Sequence, residues 1–319
     1  MKSVFIGSAI ILGMILVTGG TGFIGRTLVR QLVASGHPVR LLLRPSNDSP
    51  RLPRGVPVEV AVSSMRDERG LRAAMKDVDL VFHLVGTERQ STHANLMEID
   101  VEGARATANA AVDAGVERFF YLSHLGADRN SAYPVLKAKA LAELAIQQSG
   151  VPYSIIRTGA VFGAGDQFTE PLAQLLRMSP GIFLMPGDGS VQVQPLWVED
   201  LVTCLLLSLD NSEMINASIS IGGVETLSIL DIINLLMERL SLRRRILGIS
   251  PAYLRMIAVF MEHYMPRFPV SIYWLDTLAI DRTCPLDVVP RLFGLMPSRF
   301  NQNLEYIQPV VRKPLWRRK

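Results

Sequence analysis

A chain of 319 residues, 49% hydrophobic and 19% charged, can bury a sizeable core and is too apolar to be intrinsically disordered. Its net charge is only +4, and no nucleic-acid partner is expected. Two cysteines far apart, Cys204 and Cys284, with no CxxC pair and no histidine cluster, argue against a zinc site and for a reducing, cytoplasmic setting.

The N-terminus carries Lys2 and then an apolar run over residues 4–12, in the manner of a signal peptide, but the run passes straight into the next strand without a cleavage-type spacer. Residues 1–13 are therefore read as an apolar extension or a mis-called start. No other stretch holds about 18 wholly apolar residues, so no internal membrane span is expected. Ile15, Leu16 and Val17 have the character of a strand buried on both faces. Gly19, Gly22 and Gly25 follow, and then Ile24, Leu28 and Leu32 recur every fourth residue as one helix face, closed by Ser35 and Gly36. A strand, a glycine turn and a helix in that order make an anion site, because backbone N–H groups and the helix dipole meet there. The expected dinucleotide cradle is Gly19, Thr21, Gly22, Phe23, Ile24 and Gly25.

The second strand, 39–43, ends in Arg44, Pro45 and Ser46, and the first acid beyond it is Asp48. An acid at this strand end selects NAD through the ribose 2′-hydroxyl, whereas an arginine suits a 2′-phosphate. Arg44, helped by Ser46, thus points to NADP(H) ahead of NAD(H). Strands at 58–62 and 79–86 follow, the latter ending at Gly86, where backbone passes close to a ligand. His83 is read as a packed strand residue. Helix 96–114, strand 119–123 with Ser123 at its end, helix 135–149 and strand 153–157 continue the alternation. Alternation at this spacing predicts an α/β, Rossmann-type doubly wound parallel sheet, with Gly19, Arg44, Gly86 and Ser123 along one rim. The pattern beyond the loop 158–166 is mixed: a turn at 186–189, an extended piece at 194–198, a helix at 199–209, a strand at 217–221 and a Ser228-capped helix to Leu240. The expected division is a dinucleotide-binding domain over 14–165 and a smaller α+β substrate-side region over 166–319, part of 190–221 returning to the sheet.

The motif Thr18-Gly-Gly-Thr-Gly-Phe-Ile-Gly25, with Leu84-Val-Gly86, Gly115-Val-Glu-Arg118, Arg157 and Gly187-Asp-Gly189 leading to Val198-Glu-Asp200, resembles the extended and atypical short-chain dehydrogenase/reductase superfamily. Ser123-His-Leu-Gly-Ala127 with Lys139-Ala-Leu-Ala-Glu143 resembles, within it, the NADPH-binding accessory subunits of respiratory complex I and their bacterial relatives. The resemblance spans roughly residues 14–240. It implies contacts from Leu84 to the cofactor and, in active members, a Tyr-x-x-x-Lys pair whose tyrosine exchanges a proton with substrate. Tyr133 and Lys137 have that spacing. Pro134 after Tyr133 makes the tyrosine a cap residue, off the face of Lys137. In the frame set by Glu143, Lys139 is instead the cofactor lysine and Val135 takes the tyrosine position. The resemblance also puts Asp100 at the place of an asparagine and Ser64 at that of an acid near the adenine. Two functions stay open: an NADP(H)-binding protein whose cofactor is structural or sensing, and an NADP-dependent oxidoreductase or epimerase on a small carbonyl or sugar-nucleotide substrate. A scaffold with an empty site is a third.

Residues 246–278 are rich in large apolar groups, and Leu254, Ile257, Ala258 and Met261 fall on one helix face. That face packs as core, or forms an interfacial helix with Tyr273 and Trp274 at the boundary. The C-terminal Arg312, Lys313, Arg317, Arg318 and Lys319, around Trp316, are a solvated end or a contact with anionic lipid or an acidic partner. A membrane surface or membrane protein complex is thus an open partner, with a peripheral location on the inner face of the membrane.

Overall fold

The computed structural model describes residues 13–46, 52, 55–86, 95–265 and 269–310. The apolar N-terminal run, Asp48 and the basic C-terminal end lie outside these residues. Chain order begins β1 (Met14–Thr18), α1 (Phe23–Ala34), β2 (Val39–Leu43), β3 (Glu59–Val62), α2 (Glu68–Ala74) and β4 (Val78–His83). A π-helical turn over Met97–Glu102 leads into α3 (Gly103–Asp113). Then come β5 (Arg118–His124), α4 (Pro134–Ser149), β6 (Tyr153–Thr158), β7 (Val161–Phe162), α5 (Thr169–Met178), β8 (Ile182–Pro186), β9 (Gln192–Val193), β10 (Leu196–Trp197) and α6 (Val198–Leu207). The remainder holds β11 (Ala217–Ile221), β12 (Leu227–Ser228), α7 (Ile229–Arg239), β13 (Arg245–Ile249), α8 (Pro251–Tyr264), α9 (Ile272–Thr277) and α10 (Val288–Phe293).

The central sheet is seven-stranded, in the order β11-β6-β5-β4-β1-β2-β3, with every pair parallel. It is the Rossmann-like α/β fold that the alternation predicts. Side chains on a strand alternate between faces, and β1 shows the consequence. Ile15 and Val17 pack with Leu28 and Leu32 of α1 and Leu201 and Leu205 of α6. Leu16 points the other way, into a core with Leu71, Ala104 and Ile146 of α2, α3 and α4. Both faces are covered, which is why these strands read as unbroken apolar runs. β3 is one of the two edge strands, and Val60 and Val62 there are exposed.

A third core joins α5, α7, β8 and the C-terminal segment through Leu172, Phe183, Ile232 and Phe300. Residues 245–249, for which the sequence suggested no element, form a strand that pairs in parallel with β8. On α8, Ala258 is buried and Leu254 and Met261 are half-buried, while Ile257 is exposed. Most of the face expected to be apolar thus packs inward. Among the described residues no helix is long and apolar enough to cross a membrane.

Candidate active site: the cleft above the sheet

Loops at the carboxyl ends of the central strands enclose a cleft of about 420 Å³. Gly19 has φ of +73°, and a Cβ there would sit 2.9 Å from the Leu84 carbonyl. A Cβ on Gly25 would lie 2.2 Å from the Gly19 oxygen. The turn is closed by the Gly22 amide donating to Gly19 O at 2.9 Å. Gly22 caps α1 without any side-chain hydrogen bond, so the first amides of the helix are left for a ligand.

The glycine loop lines the cleft with Gly19, Thr21, Gly22, Phe23, Ile24 and Gly25. Arg44 joins it, exposed, just past the end of β2, and Leu84 and Gly86 follow β4. Ser123 comes from the end of β5 and Lys139 from α4. Ser46 and Ser64 lie off the lining, which holds Met65 beside Ser64. Tyr133 and Lys137 are also off it, and Lys137 is exposed. Tyr133 is the N-cap of α4 (φ −92°, ψ 116°) with Pro134 as the first helical residue. That is the conformation a following proline imposes.

Lys139 is buried, with Nζ 3.3 Å from Asp100 Oδ1 and 5.5 Å from the Tyr121 ring centre. One turn later, Glu143 holds Arg157 through bonds of 2.9 Å to Nε and 2.5 Å to Nη2. One turn earlier on the same face stands Val135, buried among Leu96, Val101 and Ala138. The hydroxyls of Ser123 and Thr158 line the cleft, buried and without a hydrogen-bond partner among the described residues. Open helix amides, a tight glycine cradle and hydroxyls turned to the cleft fit a nicotinamide dinucleotide. Sequence reasoning missed the far wall: Gln167, Phe168, Trp274, Thr277 and Arg282. Asp166, whose carboxylate accepts from the amides of Phe168, Thr169 and Glu170, is a helix-start signal that could have found the first two.

His83 is fully buried, its Nδ1 3.0 Å from Thr18 Oγ1. Burial, and then the charge of Lys139, push its pKa down from 6.5 to about 3, so the ring is neutral at physiological pH. The unfolded chain therefore binds the proton more tightly. The stability from this neutral ring is complete above pH 6.5 and is lost as pH falls toward 3. His83→Phe should lack that loss, so urea midpoints of wild type and variant should converge or cross from about pH 7 to about pH 4. A gap that stays constant over this range would contradict it.

Residues 19–169 match a family model described as NAD(P)H-binding. Residues 19–169 thus carry an NAD(P)H-binding domain. The chain is 30% identical over 216 residues to the mitochondrial NADH dehydrogenase [ubiquinone] 1 alpha subcomplex subunit 9 of Arabidopsis thaliana, covering 65% of this chain and 53% of that protein. It is 34% identical over 194 residues to a ceramide reductase of Caulobacter vibrioides, covering 61% of this chain and 60% of that one. The chain thus matches less than two thirds of either relative's length. The chain's fold is also similar to that of MoeE5 in complex with UDP-glucose and NAD, at a TM-score of 0.68 and 20% identity, covering 92% of this chain and 96% of the other.

Proposed function

We propose that this chain is an NADP(H)-binding protein whose cofactor serves a structural or sensing role. The observation that carries the reading is on α4: the lysine lining the cleft is Lys139, and the residue one turn before it on the same face is Val135. When bound, the dinucleotide supplies hydride chemistry. Reduction of a carbonyl also needs a proton donor within about 3 Å of the substrate oxygen, and a valine offers none. In this reading Lys139 holds the nicotinamide ribose and the α1 amides hold the pyrophosphate. The similarity to a complex I subunit supports it. Ser123 favours a second reading, as a reductase, because its buried hydroxyl lines the cleft without a hydrogen-bond partner among the described residues. The similarity to a ceramide reductase points the same way. NADPH consumption with a panel of ketones, aldehydes and sugar nucleotides separates the two. The first reading expects no consumption above the protein-free rate. Consumption that Ser123→Ala abolishes would establish the second.

Arg44 at the cleft rim supports the preference for the 2′-phosphate. NADPH should bind more tightly than NADH by about 1–3 kcal/mol, the scale of charge-assisted hydrogen bonds. Fluorescence titration checks this. Equal affinities, or a preference that survives Arg44→Ala, would refute it.

A further inference from the structure

Helix α8 is apolar on both sides. Its inner side carries buried Ala258 and half-buried Leu254 and Met261, and Arg255 reaches Asp276 of α9 at 2.8 Å. Its outer side presents Tyr253, Met256, Val259, Phe260 and Tyr264, each between 51% and 65% exposed. These residues recur at helical spacing, and the Phe260 and Tyr264 rings lie tilted against each other with centres 4.5 Å apart. A helix face turned to water is ordinarily polar, and a contiguous apolar face of this kind marks an interaction surface.

The charge around it is one-sided. Residues 242–265 hold four arginines against one acid; Arg255 is answered by Asp276 of α9, which leaves the consecutive run at 243–245. Arg243 and Arg245 are exposed. On the adjoining two-stranded sheet, Ile182 pairs with Arg245 and Leu184 with Leu247, and all four side chains are exposed. Apolar groups and Arg245 thus share one sheet face. An apolar protein surface would leave these arginines unanswered, and a second copy would oppose them with its own. Anionic headgroups over hydrocarbon answer both. Tyr253 and Tyr264, near the two ends of the helix, are the amphipathic rings favoured at such a boundary.

We propose that the outer face of α8 docks on an anionic lipid surface, the helix lying in the interfacial plane with Arg243 and Arg245 at the headgroups. The surface is one helix away from the cleft, since α9 holds Arg255 through Asp276 and contributes Trp274 and Thr277 to the cleft wall. The proposal is independent of whether the bound cofactor turns over.

The test is sedimentation of the full chain with vesicles of phosphatidylcholine alone or mixed with phosphatidylglycerol, at low and high salt. The expected result is pelleting with the anionic vesicles, at least about tenfold weaker with the neutral ones, and reduced by salt. Met256→Glu with Phe260→Glu should abolish pelleting while NADPH binding persists. Arg243→Gln with Arg245→Gln, on exposed residues, should weaken it and flatten its salt dependence. No pelleting with either vesicle would overturn the proposal. So would pelleting unaffected by both variants, or a dimer in light scattering that Met256→Glu with Phe260→Glu dissociates.

Discussion

Gly25→Ala is expected to weaken dinucleotide binding by at least about 100-fold, equivalent to ~3 kcal/mol. The added methyl would lie 2.2 Å from the Gly19 carbonyl oxygen and 2.7 Å from the Gly20 Cα, both backbone atoms. Neither can move without opening the turn that the Gly22 amide closes onto Gly19. The first amides of α1 then swing off the position where a pyrophosphate would sit. Gly36→Ala is the informative control. Gly36 has a positive φ, +86°, and a Cβ there meets nothing within 4 Å. It should lower stability by about 1 kcal/mol through backbone strain alone and leave binding unchanged. Fluorescence titration with NADPH, alongside far-ultraviolet circular dichroism to establish folding, measures both. Gly25→Ala binding within a few-fold of wild type would show that the turn does not cradle the ligand.

Asp166→Ala should be the most damaging single change to stability, by about 3–5 kcal/mol. The Asp166 carboxylate is buried and accepts from the amides of Gly163 at 2.9 Å, Thr169 at 2.8 Å and Glu170 at 2.9 Å. It also accepts from the hydroxyls of Thr169 at 2.5 Å and Tyr306 at 3.0 Å. One side chain therefore starts α5, fixes the loop that leads to Gln167 and Phe168 on the cleft wall, and ties down the C-terminal segment. Burial and the Asp166 charge hold the Tyr306 phenol far above its ordinary pKa, so it stays a donor. Alanine strands several buried donors at once, whereas Tyr306→Phe removes one and should cost about 1 kcal/mol. In a thermal melt the alanine variant should lose roughly 10 °C. A loss no larger than that of Tyr306→Phe would mean the amides find other acceptors.

The central sheet was legible because its cause is local. Strands covered on both faces, such as β1, leave unbroken apolar runs, and Ser228 with Asp231 writes a reciprocal cap ahead of α7. Pro134 likewise announces the start of α4 and the displacement of Tyr133 from its face. What stayed hidden is non-local. β8 and β13 are short and find each other across some sixty residues, so neither has a strand signature of its own. The orientation of α8 could not be read because both of its faces are apolar, and only the contact with α9 decides which one is inner. Trp274 and Arg282 reach the cleft from more than a hundred residues beyond the nearest predicted site residue, Lys139. Spacing alone could not rank Lys137 against Lys139, because that depends on how α4 is rotated against the sheet.

That rotation is the point on which the account turns, and NADPH affinity in Lys139→Ala against Lys137→Ala tests it most directly. Lys139→Ala removes the ion-pair partner of the buried Asp100 carboxylate, so the measurement is repeated with Asp100→Asn in the same background. The account predicts that Lys139→Ala weakens NADPH at least about tenfold in both backgrounds and that Lys137→Ala leaves it within about twofold. A larger loss in Lys137→Ala would put Lys137 on the ribose with Tyr133 beside it, and would contradict the reading of this chain as a dinucleotide-binding protein without a tyrosine acid.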